Sequence, residues 1–243
     1  MRLCREGYNR RVIAGHEKSP GRIFFVIDLS SPLSLRNAIC FPVQSPAARR
    51  ETAIGALWLL VPMVGWLMNM GHRIVMVHKM QQGLSPWPSW DRRGQLLRHG
   101  FFTWLGMIYY YAPAGALALL GAIVHSRAAY AGAAVLFTAA SIAIPGYMSH
   151  YCRAYDPREI FNPVRALRRV GQGGAGYWKA WSIALAALAL SFAGLLGLGV
   201  AFLFTSVWFW QTAGYAFANT FTRVHALAAL PRPVADDRSA AVE

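Results

Sequence analysis

The stretch FFTWLGMIYYYAPAGALALLGAIV, residues 101–124, contains no charged side chain. A helix needs about 20 predominantly apolar residues to cross the roughly 30 Å hydrocarbon core of a membrane. The stretch therefore predicts a transmembrane helix. A second uncharged run, residues 128–149, follows after a short segment that contains Arg127. Together the two runs predict a helical hairpin in a membrane.

Two further uncharged runs, residues 53–71 and 182–222, extend this pattern over the chain. Only 14% of the 243 residues are charged, whereas soluble domains carry about 25%. One helix over residues 182–222 would be about 60 Å long, so its central Gly194, Gly197 and Gly199 predict a turn between two crossings. We therefore predict an all-α, polytopic membrane protein with about four full spans. A soluble protein with a buried apolar core is the alternative, and four such runs argue against it.

The first apolar segment, GALWLLVPMVGWLMNMGHRIVMV (residues 55–77), contains a predicted helix break. Pro62 lacks a backbone N–H and clashes with the preceding helical turn, and Gly65 follows it. The segment is either one kinked span or two half-helices that enter the membrane and return. Non-helical backbone at membrane depth is tolerated only where protein or water satisfies it, so the re-entrant alternative requires a protein environment.

The distribution of basic residues indicates an orientation. Fourteen Lys and Arg residues lie in segments 72–100, 150–181 and 223–243, which share one side if there are four full spans, and the opposite hairpin loop has only Arg127. The positive-inside rule then predicts a multi-pass protein of the bacterial inner membrane with a cytoplasmic C-terminus. A re-entrant first segment would also keep the basic N-terminus inside.

The net charge of +14 does not indicate nucleic-acid binding. The basic residues lie between the apolar runs, where they are expected to contact anionic lipid headgroups. No extramembrane segment is long enough to form a folded basic module easily. We therefore predict the lipid bilayer, and no nucleic acid, as a partner.

The segment NPVRALRRVGQGGAGYWKAW, residues 162–181, predicts a short amphipathic helix in the membrane interface. Asn162 and Pro163 are typical of a helix N-terminus. Arg165 and Arg169 lie on one side of the helix and apolar residues on the other, and the glycines after Val170 predict its end. The aromatic residues that follow predict anchors at the start of the next span: Tyr177, Trp178 and Trp181.

The loop GLSPWPSWDRRG, residues 83–94, predicts a second membrane-surface anchor. Trp87 and Trp90 are expected at headgroup depth, and Arg92 and Arg93 are expected to contact lipid phosphates. Trp and Arg also dominate hot spots in protein interfaces, so a protein-binding loop is the alternative.

No motif in the chain predicts catalysis, a cofactor or a metal site. The histidines form no HExxH pattern, and GQGGAG lacks the Lys-Ser/Thr of a phosphate-binding loop. Ion-coupled carriers usually place an ionisable residue inside the membrane, and the uncharged runs contain none. The polar residues predicted within the membrane either form helix–helix hydrogen bonds or line a pathway: Asn69, Gln211 and Asn219. We therefore predict a protein that is not an enzyme.

These features divide the chain into three segments. Residues 1–52 are basic and predicted to be largely irregular because prolines interrupt them repeatedly. Residues 53–226 form the predicted helical membrane domain. Residues 227–243 form a short tail that we expect to be disordered.

Several short motifs, in order, resemble a known family. VPMVG, GHR, SPWPSWD and HGFFTWLGMIYYYAP are followed by NPVRALRR, GYWKAW and GYAFANTFTR. This order is similar to that in domain-of-unknown-function family 4013, a family of prokaryotic membrane proteins. The likeness covers roughly residues 37–223, with SPWPSW in place of the family's LP-x-W motif. The resemblance implies a polytopic membrane protein and no known activity.

Two functions remain open from the sequence. The first is a non-catalytic scaffold or accessory subunit of the bacterial inner membrane, with a membrane-protein partner or a homo-oligomer. The alternative is a channel or carrier for small neutral or lipid-like molecules, which predicts a polar-lined cavity near Asn69, Gln211 and Asn219.

Overall fold

A computed structural model describes residues 10–12, 25–27, 29, 32–87, 90, 92–197 and 199–224. This part of the chain is predominantly α-helical. Two three-residue strands pair antiparallel near the N-terminus: β1, Arg10–Val12, and β2, Phe25–Ile27. The described ranges contain the α-helices α1 Leu35–Cys40, α2 Pro46–Trp58, α3 Val64–Gln81, α4 Arg93–Ile123, α5 Arg127–Ala154, α6 Pro163–Ala193 and α7 Val200–Val224. Short 3₁₀ helices lie at Phe41–Val43, Pro157–Glu159 and Gly194–Leu196.

Within the described residues, three helices are long and apolar enough to cross a membrane: Arg93–Ile123, Arg127–Ala154 and Pro163–Leu196. These correspond to α4, α5 and α6 with its following 3₁₀ turn. The structure therefore supports a helical membrane fold with three candidate spans. The fourth predicted span corresponds to α7, which is not among these three.

Helices α4 and α5 form an antiparallel hairpin. The Tyr111 hydroxyl lies 3.0 Å from the Ser141 hydroxyl, and His99 Nδ1 lies 2.8 Å from the Tyr151 hydroxyl. The residue nearer the start of α4, His99, contacts the residue nearer the end of α5, Tyr151. The two helices therefore run in opposite directions. Ser126 caps α5 by accepting a hydrogen bond from the amide of Ala129.

Helices α6 and α7 form a second antiparallel hairpin. The Thr205 hydroxyl donates to the carbonyl of Ser191 at 3.0 Å, and the Thr220 hydroxyl donates to that of Gly176 at 3.3 Å. The long apolar run is thus divided by the turn at residues 194–199. Gly174 interrupts α6 with non-helical dihedrals of φ 53° and ψ −141°, so a first helical part, residues 163–173, is separate from the apolar part.

Helices α2 and α3 fold back on each other across a break at residues 59–63, which contains Pro62. Asn69 on α3 donates to the carbonyl of Gly55 on α2 at 3.0 Å. A Cβ atom on Gly65 would lie only 1.7 Å from the carbonyl oxygen of Trp58, so the close approach at the break requires glycine. The two arms are antiparallel, and the outer ends of the hairpin lie on the same side.

The prediction that the chain is largely irregular through residue 52 is wrong for residues 35–52. Helices α1 and α2 occupy most of this stretch. Ser34 accepts a hydrogen bond from the amide of Asn37, and Ser45 accepts one from that of Ala48. Such N-caps stabilise a helix start, and Pro46 is compatible with the first helical turn. The predicted tail, residues 227–243, lies outside the described residues.

The close contact between α3 and α4 depends on Gly100. A Cβ atom there would lie 1.9 Å from the carbonyl oxygen of Leu67. Gly115, on the same helix, has open space around its Cα. We expect Gly100→Ala to lower the free energy of unfolding by about 1–3 kcal/mol because the extra methyl separates the two helices.

The matched variant Gly115→Ala should be neutral or stabilising by up to about 1 kcal/mol, because alanine favours the helix. Unfolding of both purified variants in detergent micelles by added dodecyl sulfate measures the difference. Equal stability of the two variants would contradict the close contact.

Candidate functional site

The two tryptophans of the loop at residues 83–94 are buried inside the protein. Trp87 and Trp90 are each 8% exposed. The Trp90 ring stacks on His72 at 4.3 Å between centroids, and its Nε1 donates to the carbonyl of Glu51 at 3.2 Å. Trp87 packs on Phe41 at 5.4 Å. The prediction that they are surface anchors is wrong, since distant residues that the local pattern does not reveal cover both rings.

The arginines of the same loop remain at the surface. Arg92 and Arg93 are exposed. The Arg93 guanidinium lies 5.9 Å from the ring of Trp58. Contact of these two arginines with lipid phosphates stays a prediction.

The basic face of the first part of α6 is bound to a carboxylate. Arg165 contacts Glu159 at 3.0 Å, and Arg169 forms an ion pair with the same carboxylate. Asn162 caps this helix by accepting from the amide of Arg165 at 2.9 Å. The two arginines predicted as membrane anchors therefore both pair with the Glu159 carboxylate, which lowers the net positive charge of this helix face.

The aromatic residues after the Gly174 break lie in different environments. Tyr177 is fully buried; it donates to the carbonyl of Ile142 and accepts from Trp181 Nε1. Trp178 is 55% exposed, and Trp181 is partly buried. The prediction of an interface anchor is therefore wrong for Tyr177, whose hydroxyl fastens α6 to α5.

The three predicted membrane-embedded polar residues fasten the N-terminal part of the chain to the bundle. All three are buried. Asn69 binds carbonyls on both sides of the α2–α3 break, and Gln211 accepts from Thr52 at 2.9 Å. Asn219 donates to the carbonyl of Leu29 at 3.0 Å. Each holds a different part of the chain, so these contacts indicate a structural role for all three.

A groove of about 200 Å³ lies between helices α3, α4, α5, α6 and α7. Its walls are mostly apolar, and its rim includes Leu185, which is 53% exposed. The groove therefore opens at the surface of the helix bundle. Among the apolar side chains that line it are Ile74, Val77, Met148, Leu188 and Phe217.

Arg73 is the charged side chain of this groove. It is 6% exposed, and its guanidinium carbon lies 4.6 Å from the centre of the Trp210 ring. Its Nε atom has no hydrogen-bond partner. The aliphatic stem of Arg73 passes close to Gly214 on α7, which leaves the guanidinium beside the groove.

The carboxylates that the structure describes are engaged elsewhere. Glu51 lies 3.1 Å from His72, and Asp156 accepts from the amide of Arg158. Glu159 binds the two arginines of α6. Within the described ranges, no carboxylate forms an ion pair with Arg73.

Sequence reasoning missed this arginine because it was counted with a loop. The charge-free run ends at Gly71, and Arg73 follows two residues later within GHRIVMV. The apolar residues on both sides are the signal that could have placed it inside the bundle. The uncharged runs themselves contain no ionisable residue, but the apolar groove between the helices does have one, Arg73.

Trp210 stabilises the guanidinium only in part. A desolvated cation–π contact contributes about 2 kcal/mol, whereas removing an ion from water costs several kcal/mol. The remaining cost makes the part of the groove beside Arg73 favourable for an anion. An otherwise apolar groove with one unpaired cation can bind a molecule with an apolar part and an acidic part.

A separate aromatic cluster lies at the end of α5. Tyr155 stacks on His99 at 4.0 Å and packs at a tilt against His78 at 4.3 Å between ring centroids. Burial raises the pKa of Tyr155, which keeps its hydroxyl neutral. Across the described ranges, no three His, Cys, Asp or Glu side chains converge in a way that could hold a metal ion.

Comparison with known proteins identifies no relative of this chain: no family model, no curated protein and no solved structure matches it. The resemblance to family 4013 therefore stays a prediction.

Burial of Trp90 gives a direct test of this arrangement. We expect Trp90→Ala to lower the free energy of unfolding by about 3–5 kcal/mol, because it removes a packed ring from the interior. Trp178→Ala is the matched control and should change it by less than about 1 kcal/mol, because its ring is largely exposed. Unfolding in detergent micelles measures both, and a larger loss for the control would refute the burial of Trp90.

Proposed function

We propose that the protein is a multi-pass membrane protein that binds a lipid-like molecule in the groove lined by α3, α4, α5, α6 and α7, without catalysing a reaction. The observation that carries this proposal is the groove itself. Three of its five walls are the helices long enough to cross a membrane. A ligand in the groove would therefore lie within reach of the hydrocarbon.

The outer faces of the bundle support a membrane setting. Large apolar side chains are exposed along the candidate spans and α7, where water would make them unfavourable. In a bilayer the same side chains would contact lipid. They include Leu119, Ile123, Val135, Phe137, Leu190, Phe192, Leu196 and Phe204.

The groove favours lipid-like binding over the other function that the sequence leaves open. Ligand sites are mostly apolar with a few placed polar groups, and the groove combines apolar walls with Arg73. A scaffold or accessory subunit requires a surface matched to a partner or to a second copy. The described residues offer no feature that specifies such a partner, so the carrier or binding role ranks first.

The proposed topology has four spans, α4 to α7, with the α2–α3 hairpin re-entrant from the cytoplasmic side. The antiparallel arms of the hairpin support it, since the outer ends of α2 and α3 lie together. The positive-inside rule applied to the basic loops supports a cytoplasmic location for these ends and for the C-terminus, with the hairpin in the inner membrane of a bacterial cell. Exposed Arg92 and Arg93 would contact anionic headgroups there.

Cysteine labelling tests this topology. In a chain with its native cysteines replaced, Ala47→Cys places a thiol at the exposed start of α2, and Ala128→Cys places one at the exposed start of α5, next to the α4–α5 turn. An impermeant maleimide should label only Ala128→Cys in intact spheroplasts, because position 47 is cytoplasmic. Labelling of Ala47→Cys before permeabilisation would show that the first segment crosses the membrane.

Filling the groove tests the binding function. Ala184 lines the groove and is buried, whereas Ala186 faces outward from the same helix. We expect Ala184→Phe to reduce groove labelling by a photoreactive long-chain fatty acid or fatty alcohol by about tenfold, a loss equivalent to about 1.4 kcal/mol. The diazirine is placed in the tail, and labelled residues are located by peptide mass spectrometry.

Ala186→Phe is the matched control and should label like the unmodified protein. Equal labelling of the two variants, or no labelling of groove residues by either probe, would refute the binding function.

A further inference from the structure

We infer that the ligand of the groove is a single-chain anionic amphiphile whose carboxylate or phosphate head pairs with Arg73. This inference rests on the proposed binding function and names the class of molecule bound. It is carried by the combination of an apolar groove and a buried, unpaired guanidinium among the residues that line it.

The charge of the site is fixed by its chemistry. A guanidinium stays protonated throughout the physiological pH range, so Arg73 supplies a permanent positive charge. Only 6% of Arg73 is exposed to solvent, and its Nε proton has no acceptor. A bound acidic group would pair with the guanidinium and offset the cost of burying its charge.

The geometry selects carboxylate or phosphate among anions. The planar guanidinium presents paired donors that match two oxygens of such a group. Trp210 covers one face of the guanidinium, so the donors along its edge remain for a ligand. Arg73 also lines a second cavity of about 60 Å³ beside Trp210, which adds space for a head group near the guanidinium.

The residues that line the groove indicate the nature of the ligand beyond its acidic head group. Beyond Arg73 the groove is lined mainly by aliphatic and aromatic side chains, which would give a small free anion little contact. Its volume of about 200 Å³ is below the roughly 300–1,000 Å³ of sites for drug-sized ligands. We therefore infer one acyl or alkyl chain, with its tail extending past the exposed rim at Leu185.

Head-group selectivity tests this inference. Three tail-diazirine probes with the same chain are compared on the purified full-length protein in neutral detergent: a fatty acid, a monoalkyl phosphate and a fatty alcohol. We expect the two acids to label groove residues about tenfold more than the alcohol, because a charge-assisted pair is lost with the alcohol. This comparison on the unmodified protein does not depend on any variant folding.

Substitution of Arg73 then tests whether this residue causes the preference for acidic head groups. Arg73→Met keeps an unbranched apolar stem, removes the guanidinium and leaves no unpaired buried charge behind. We expect it to reduce acid labelling to the level of the alcohol and to leave alcohol labelling unchanged. Arg73→Lys should retain part of the preference for acids.

Arg93→Met is the matched control, because Arg93 also faces a tryptophan but is exposed at the start of α4. It should leave all three labelling levels unchanged. An equal loss of acid labelling in Arg93→Met and Arg73→Met would overturn the inference, since general surface charge would explain it.

The remaining outcomes separate this inference from the proposed function. Equal groove labelling by acid and alcohol in the unmodified protein would overturn the role of Arg73 and leave lipid-like binding intact. Absence of groove labelling by all three probes would refute the binding function itself. Excess inorganic phosphate is added as a competitor. If it abolishes the preference for acids, Arg73 binds a free anion, and the inference that the ligand is an amphiphile is overturned.

Discussion

The fold depends on one constraint: backbone polar groups beside a helix break must be satisfied inside the protein when water is absent. Asn69 meets part of this requirement, because its Nδ2 group donates to the carbonyls of Gly55 and Gly65 on either side of the break. That single amide joins α2 to the start of α3. It also holds the two helices in the antiparallel arrangement on which the contacts of the N-terminal region are built.

The folded-back hairpin determines what the rest of α3 contacts. His72 meets Glu51 on α2 and the ring of Trp90, so the loop after α3 is drawn into the interior. The next residue, Arg73, lies beside Trp210 of α7 and lines the groove. One turn of α3 therefore contains both a satisfied buried pair and an unpaired cation. The first stabilises the fold, and the second gives the groove its chemical character.

The sequence predicted those features of the fold that depend on residues close together in the chain. Uncharged runs and turn-forming glycines predicted the helical class and the turn at residues 194–199, because length and backbone preference act within a few residues. Trp90 and Tyr177 were misassigned, because aromatic residues near arginines occur both at membrane interfaces and in interiors. Only their distant partners, Glu51 and Ile142, distinguish the two environments. Arg73 was missed because counting charge by segment ignores where a helix buries its residues.

The contacts between the N-terminal region and α7 have a consequence for biosynthesis. Thr52 and Gln211 are 159 residues apart, and Asn219 reaches Leu29 across 190 residues. At a synthesis rate of about 5–20 residues per second, the first of these contacts must wait roughly 10–30 seconds for its partner to emerge. During that time the hydroxyl of Thr52 lacks its native contact with Gln211. The arrival of the last helix, rather than insertion of the first, therefore completes the polar contacts of the N-terminal hairpin.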